Sequence, residues 1–210
     1  MTDIAAFTCF VFDFDGTLYQ SNTIKRQVFF AVAERYVGGH ETMFEILEDR
    51  SLDRYQIFDK FIRQIGRGKP ESLAAEYSQA CYDQILGTPE VPGALSLLSR
   101  LKELGRFVFI NSATPEIDLK KTVAALKLLP LVDGVMGRPR SKEDNLSMAM
   151  AKANVAAAQT VMIGDGESDR AAAAAIGCSF IAVRNEFNDF SVPPVEIFDD
   201  LQPLADGMLG

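Results

Sequence analysis

Two aspartates, Asp13 and Asp15, end the apolar run in "FVFDFDGTL" (residues 10–18). Asp-Gly-Thr is ordinary turn chemistry and accounts for Asp15 alone. Asp13 is different, because a carboxylate between Phe12 and Phe14 is costly to bury unless it is paired or bound to a cation. A carboxylate so placed can serve as a nucleophile or as an oxygen ligand for a hard cation. Side chains alternate along a strand, so both aspartates are expected to project toward the same side.

Three further segments carry comparable chemistry. "RFVFINSATPEID" (106–118) runs from an apolar strand to Asn111-Ser112, and Thr114-Pro115-Glu116 reads as a helix start. Ser112 then lies between a strand end and a helix N-terminus, where hydroxyl and backbone N–H groups can meet an anion. In "GRPRSKED" (137–144), Ser141 and Asp144 form an S-x-x-D capping box that makes Lys142 the first residue of a helix. A cation there opposes the helix dipole by ~0.3–1 kcal/mol, tolerable where an anion needs it. Arg138 and Arg140 are rivals for that role, and the cap position favours Lys142. "TVMIGDGESD" (160–169) carries an apolar strand into Asp165, with Asp169 four residues later. A strand–turn–helix with Asp169 as N-cap explains Asp169 but leaves Asp165 without a reason.

Strand and helix patterns place these pieces. Short apolar runs at 7–12, 106–111, 160–163 and 179–183 read as strands, with helical patterns at 94–105, 141–155 and 169–177 between the later ones. That alternation implies βαβ units and an α/β fold, a Rossmann-like parallel sheet with helices on both faces. Ligands of such sheets bind at the C-terminal strand ends, and each of the four segments falls at a strand end or a helix start. The alanine run 171–175 lets its helix lie close to the sheet. Residues 19–88 are helical in pattern throughout, and "GTPEVPG" (87–93) reads as a hinge. The expected organisation is an α/β core of residues 1–18 and 89–210 with an all-helical segment, 19–88, inserted after the first strand.

Composition narrows the function. The 210 residues carry a net charge of −8, which disfavours nucleic acid as a partner. A small anionic substrate remains compatible where a local site supplies cations. His40 is the only histidine and follows Gly38-Gly39, so it reads as a solvated loop residue, and histidine-based catalysis or metal binding is not expected. Cys9, Cys81 and Cys178 show no CxxC pairing and suit a reducing compartment rather than a disulfide or zinc framework. The N-terminus lacks a basic start, and no stretch approaches the ~20 apolar residues of a membrane span. A cytoplasmic protein with no membrane partner is expected, as a monomer or weak dimer.

"FVFDFDGTL", Ser112, Lys142 and "GDGESD" together resemble the haloacid dehalogenase superfamily, in particular its phosphoglycolate-phosphatase-like branch with a helical cap. Its phosphatases carry D-x-D-G-T, a Ser or Thr after the second strand, a lysine and a G-D-x-x-x-D motif in this order. The resemblance implies a Mg2+-dependent phosphatase hydrolysing a small phosphorylated metabolite through an aspartyl-phosphate at Asp13. It implies Asp15 as general acid and then general base, a state of protonation that neighbouring negative charge favours. It implies phosphate binding at Ser112 with Asn111 and Ala113, and charge stabilisation by Lys142. Mg2+ ligation falls to Asp13, the carbonyl of Asp15 and Asp165, with Asp169 acting through water or orienting the shell. The helical segment corresponds to a cap that excludes water and reads the rest of the substrate. The chain departs from the family's common K-P-x-P form around Lys142. It also has Tyr19-Gln20 where a common member of the branch has an acid two residues after the Leu. Arg50 and Arg54, one helical turn apart, could grip a second anionic group, but a solvated helix face is the preferred reading. A phosphotransferase or mutase of the phosphoglucomutase-like type is the nearest alternative. A non-catalytic phospho-accepting regulatory domain is the third reading, disfavoured by the insert and the motif order. A 2-haloacid dehalogenase has no need of an acid such as Asp15.

Overall fold

The computed structural model describes residues 4–49 and 52–208. It divides into two compact units, Met1–Gln20 with Thr88–Gly210, and Ser21–Gly87.

The first unit is built on a six-stranded parallel sheet in the order β3-β2-β1-β4-β5-β6. Its strands are β1 (Cys9–Phe12), β2 (Phe107–Pro115), β3 (Gly134–Arg138), β4 (Thr160–Gly164), β5 (Ser179–Val183) and β6 (Ile197–Phe198). The sequence pattern marks four of these. β3 escapes it because Gly134 and Gly137 break up a five-residue run, and β6 because it has only two residues. In β1, Cys9 and Val11 pack with Phe109, Met136, Leu146 and Met162, while the alternate residues Phe10 and Phe12 are equally buried. A strand buried on both faces has no polar side, which is why "CFVF" is continuously apolar.

Of the helices in this unit, α5 (Ala94–Glu103) packs on β2 and on α9 (Gln202–Gly207). α6 (Glu116–Ala125) packs on β2 and β3, α7 (Lys142–Ala153) on β1 to β3, and α8 (Glu167–Ile176) on β4 and β5. Ala172 and Ala173 of the alanine run are fully buried, so α8 does lie close to the strands it covers. The chain moves from β1 to β2 and β3 on one side, then crosses to β4 on the other. The order of strands therefore reverses at β1, the position where open α/β sheets form a crevice.

The second unit contains α1 (Asn22–Ala33), α2 (Gly39–Leu47), α3 (Arg54–Ile65) and α4 (Pro70–Ile85). Asp53 caps α3 by accepting from the N–H groups of Tyr55 and Gln56, and Gln56 Oε1 accepts from Asp53 N–H in return. Phe29, Phe58 and Tyr77 form its aromatic centre, with Phe29 and Tyr77 stacked at 4.1 Å. His40 lies in the first turn of α2 rather than in a loop. It remains exposed and stacks on Phe30 at 4.7 Å. Arg50 lies outside the described residues. Arg54 donates to Ser78 Oγ at 2.5 Å and sits over the Tyr77 ring, so its guanidinium is occupied within the unit. No helix among the described residues is long and apolar enough to cross a membrane.

Candidate active site

β1 ends at Phe12, so Asp13 is the first residue past the strand, with its N–H still donating to Ile163 O at 2.8 Å. The chain then folds into a tight turn in which Leu18 and Tyr19 both donate to Phe14 O and Gly16 donates to Tyr19 O. Gly16 has φ of +76°, a conformation that favours glycine and explains the "DGT" spelling. Because both aspartates lie beyond the strand, the two-residue alternation does not govern them. Asp13 is buried beside Lys142, Asp165 and Asp169, whereas Asp15 Oδ2 accepts from Thr114 Oγ1 at 3.3 Å and Ser112 Oγ at 3.5 Å. Tyr19 stacks on Phe14, and Gln20 donates to the carbonyl of Glu90 at 3.2 Å.

Lys142 opens α7 with Ser141 as N-cap, its Oγ accepting from Asp144 N–H at 3.0 Å. Its Nζ donates to Asp13 Oδ1 at 3.0 Å and pairs with Asp169 Oδ1. The arginine rivals are placed differently. Arg138 ends β3 exposed, and Arg140 pairs with Glu116 and donates to Asn145 Oδ1 at 2.9 Å. Burial by itself pulls the Lys142 ammonium down. The charges of Asp13 and Asp169 outweigh it and hold its pKa above the usual lysine value. Burial pushes the Asp13 carboxyl well above the usual carboxylate range; Lys142 opposes that shift and Asp169, Asp165 and Asp15 add to it.

Asp165 follows β4, and Asp169 is the third residue of α8, within its first turn rather than at the N-cap, which is Gly166. Asp169 Oδ2 accepts from Gly166 N–H at 3.1 Å, so Lys142 and that amide together engage both of its oxygens. A Cβ on Gly164 would lie 2.5 Å from Asp169 Cγ, which makes glycine the residue that lets this carboxylate reach the strand end. Asp13, Asp165 and Asp169 each bring a carboxylate oxygen within 4.8 Å of the others. Three buried carboxylates against one ammonium leave surplus negative charge, and an all-oxygen donor set without His or Cys suits a hard divalent cation such as Mg2+.

The candidate phosphate-binding residues are treated differently by the fold. Ser112 is buried and its Oγ accepts from Thr114 N–H at 3.1 Å. Ala113 is exposed on the same strand end. Asn111 turns away from its neighbours: its Nδ2 donates to Lys142 O at 2.9 Å and its Oδ1 accepts from Asn145 Nδ2 at 3.0 Å. It thus ties β2 to the first turn of α7. Sequence reasoning passed over Thr114, Asn145, Asn185 and Asn188, and the last two donate to Asp165. Their one sequence signal is the N-x-x-N spacing just after β5, ordinary loop composition in the absence of a known neighbour.

A family model of the haloacid dehalogenase-like hydrolases matches residues 10–183, from β1 through β5. The chain belongs to this family. Among solved structures, a family IA, variant 3 haloacid dehalogenase hydrolase from Entamoeba histolytica superposes with a TM-score of 0.80 at 15% identity, covering 97% of this chain and 100% of that one. A predicted phosphoglycolate phosphatase from Haemophilus somnus gives 0.71 at 17% identity, covering 98% of both chains. CbbY from Rhodobacter sphaeroides, in complex with xylulose-1,5-bisphosphate, gives 0.70 at 16% identity, covering 96% of this chain and 99% of that one. At these identities the shared property is the fold. No curated protein sequence matches this chain. Within this haloacid dehalogenase-like hydrolase, the four sequence segments converge at one end of the sheet.

Proposed function

We propose that the protein is a Mg2+-dependent phosphatase that hydrolyses a small phosphate monoester through an aspartyl-phosphate at Asp13. The observation that carries this reading is the buried Asp13 carboxylate, 3.0 Å from Lys142 and within 4.8 Å of Asp165 and Asp169. Asp13 attacks phosphorus, forming a new P–O bond as the bond to the leaving oxygen breaks. Asp15 supplies the proton that the leaving oxygen takes up. It then removes a proton from the water that attacks the aspartyl-phosphate, releasing inorganic phosphate and restoring Asp13. Lys142 balances charge on the phosphoryl oxygens, and the Ser112 hydroxyl orients one of them. Asp13, the Asp15 carbonyl and Asp165 would hold the cation, and the double engagement of Asp169 suits it to orienting Lys142. Mg2+ supplies Lewis-acid polarisation of the phosphoryl group when bound.

Choice of leaving group falls to the helical segment 19–88, which the resemblance casts as a cap. A cytoplasmic setting fits the cysteines, none of which forms a disulfide among the described residues. The test is a panel of phosphate esters, beginning with phosphoglycolate and sugar bisphosphates, assayed for phosphate release with Mg2+ and with chelator. Release that stops on chelation is expected, and release indifferent to chelator would remove the metal from the proposal. Transfer of phosphate to a hexose phosphate in place of water would move the protein to the mutase reading.

A further inference from the structure

The loop after β5 grips Asp165 with two asparagines whose amide orientations are set from within the loop. Asn185 Oδ1 accepts from Phe187 N–H at 2.8 Å, and Asn188 Oδ1 accepts from Asn185 N–H at 2.9 Å. With each carbonyl end engaged by a backbone donor, each NH2 group is directed elsewhere. Asn185 Nδ2 donates to Asp165 Oδ2 at 2.6 Å. Asn188 Nδ2 donates to the backbone carbonyl of Asp165 at 2.8 Å and to that of Val183 at 3.2 Å. Rotating either amide by half a turn would set oxygen against oxygen and NH2 against N–H, so the geometry admits one orientation.

We infer that Asn185 is a positioning residue that holds the Asp165 carboxylate for a divalent cation shared with Asp13 and Asp169, with Asn188 bracing the loop. The choice of an amide is informative. A lysine or arginine at this place would fix the carboxylate but cancel its charge. The neutral N–H donor restrains its rotation without itself neutralising the charge. Asp13 and Asp169 have the reverse arrangement, since both share the Lys142 ammonium. Asp165 is therefore the member of the cluster held by a neutral side-chain amide.

This inference rests on the metal reading proposed above, and its test separates the two. Mg2+ alone is titrated into the protein by calorimetry, and Mn2+ is followed by electron paramagnetic resonance. Asn185→Ala is expected to weaken both by about 10–100-fold, the usual effect of removing such an outer partner. The apparent Mg2+ requirement for phosphate release should rise by the same factor, with kcat recovered at saturating Mg2+. A merely structural loss would not be repaired by added metal. If Asn185→Ala fails to fold, Asn185→Ser, which keeps a shorter donor, is read in the same way and should fall between wild type and the alanine expectation. Unchanged metal affinity in a folded variant overturns the role of Asn185 and leaves the metal site standing. Failure of the wild-type protein to bind either cation overturns both.

Discussion

Asp13 and Asp15 are two residues apart and share one sequence motif, yet the fold gives them opposite surroundings. Asp13 is 5% exposed, ion-paired to Lys142 and crowded by two more carboxylates. Asp15 is half-buried and accepts from the hydroxyls of Thr114 and Ser112. In the proposed mechanism Asp13 attacks phosphorus and Asp15 exchanges a proton, two tasks that call for different environments. The tight turn at Gly16 lets residues two apart meet different surroundings.

Substitutions can break that contrast. Asp13→Asn is expected to lower turnover by more than about a thousandfold and to weaken Mg2+ binding as well, because one group serves both purposes. Steady-state kinetics and calorimetry on the folded variant check this. Asp15→Asn should cost about 10²–10⁴-fold in turnover, the range for a general acid–base, while Mg2+ affinity stays near wild type because the backbone carbonyl is retained. If metal binding fell equally in both variants, the two aspartates would not be separate in function.

Lys142→Met leaves Asp13 and Asp169 buried without their cation. Chemical denaturation in chelator should show a loss of about 3–5 kcal/mol, and added Mg2+ should recover part of it. The smallest effect lies at Glu167, the first residue of α8, between Asp165 and Asp169. Arg170 and Ser191 hold the Glu167 carboxyl down to about 2 from its ordinary 4.5. A depressed carboxylate contributes stability above its unfolded value, and that contribution is lost as pH falls from 4.5 toward 2. Glu167→Gln should therefore lower the melting temperature by a few degrees at most at neutral pH, since the pair is partly exposed, and the two melting profiles should converge as pH falls through that window.

Much of the site was legible because short-range chemistry announces it. An acid next to buried phenylalanines, a capping serine before a lysine and a glycine before an aspartate are local statements, and the family model spans them. The α/β class was legible from alternating periodicities, while β3 and β6 were not, one interrupted by glycines and the other too short to show a period. The contest between Lys142, Arg138 and Arg140 needed coordinates, since three cations within five residues look alike until helix α7 aims one of them inward.

The sequence by itself determined which residue types end the strands, where α7 begins and that a helical segment follows the first motif. Only the tertiary structure decided that Asn111 braces α7, that Asp169 sits inside its helix to meet Lys142, and that Asn185 and Asn188 close on Asp165. The reason is distance along the chain. A cap or turn is settled by neighbours a few residues away, whereas these partners are 20 to 31 residues apart and meet only after the parallel strands are laid side by side.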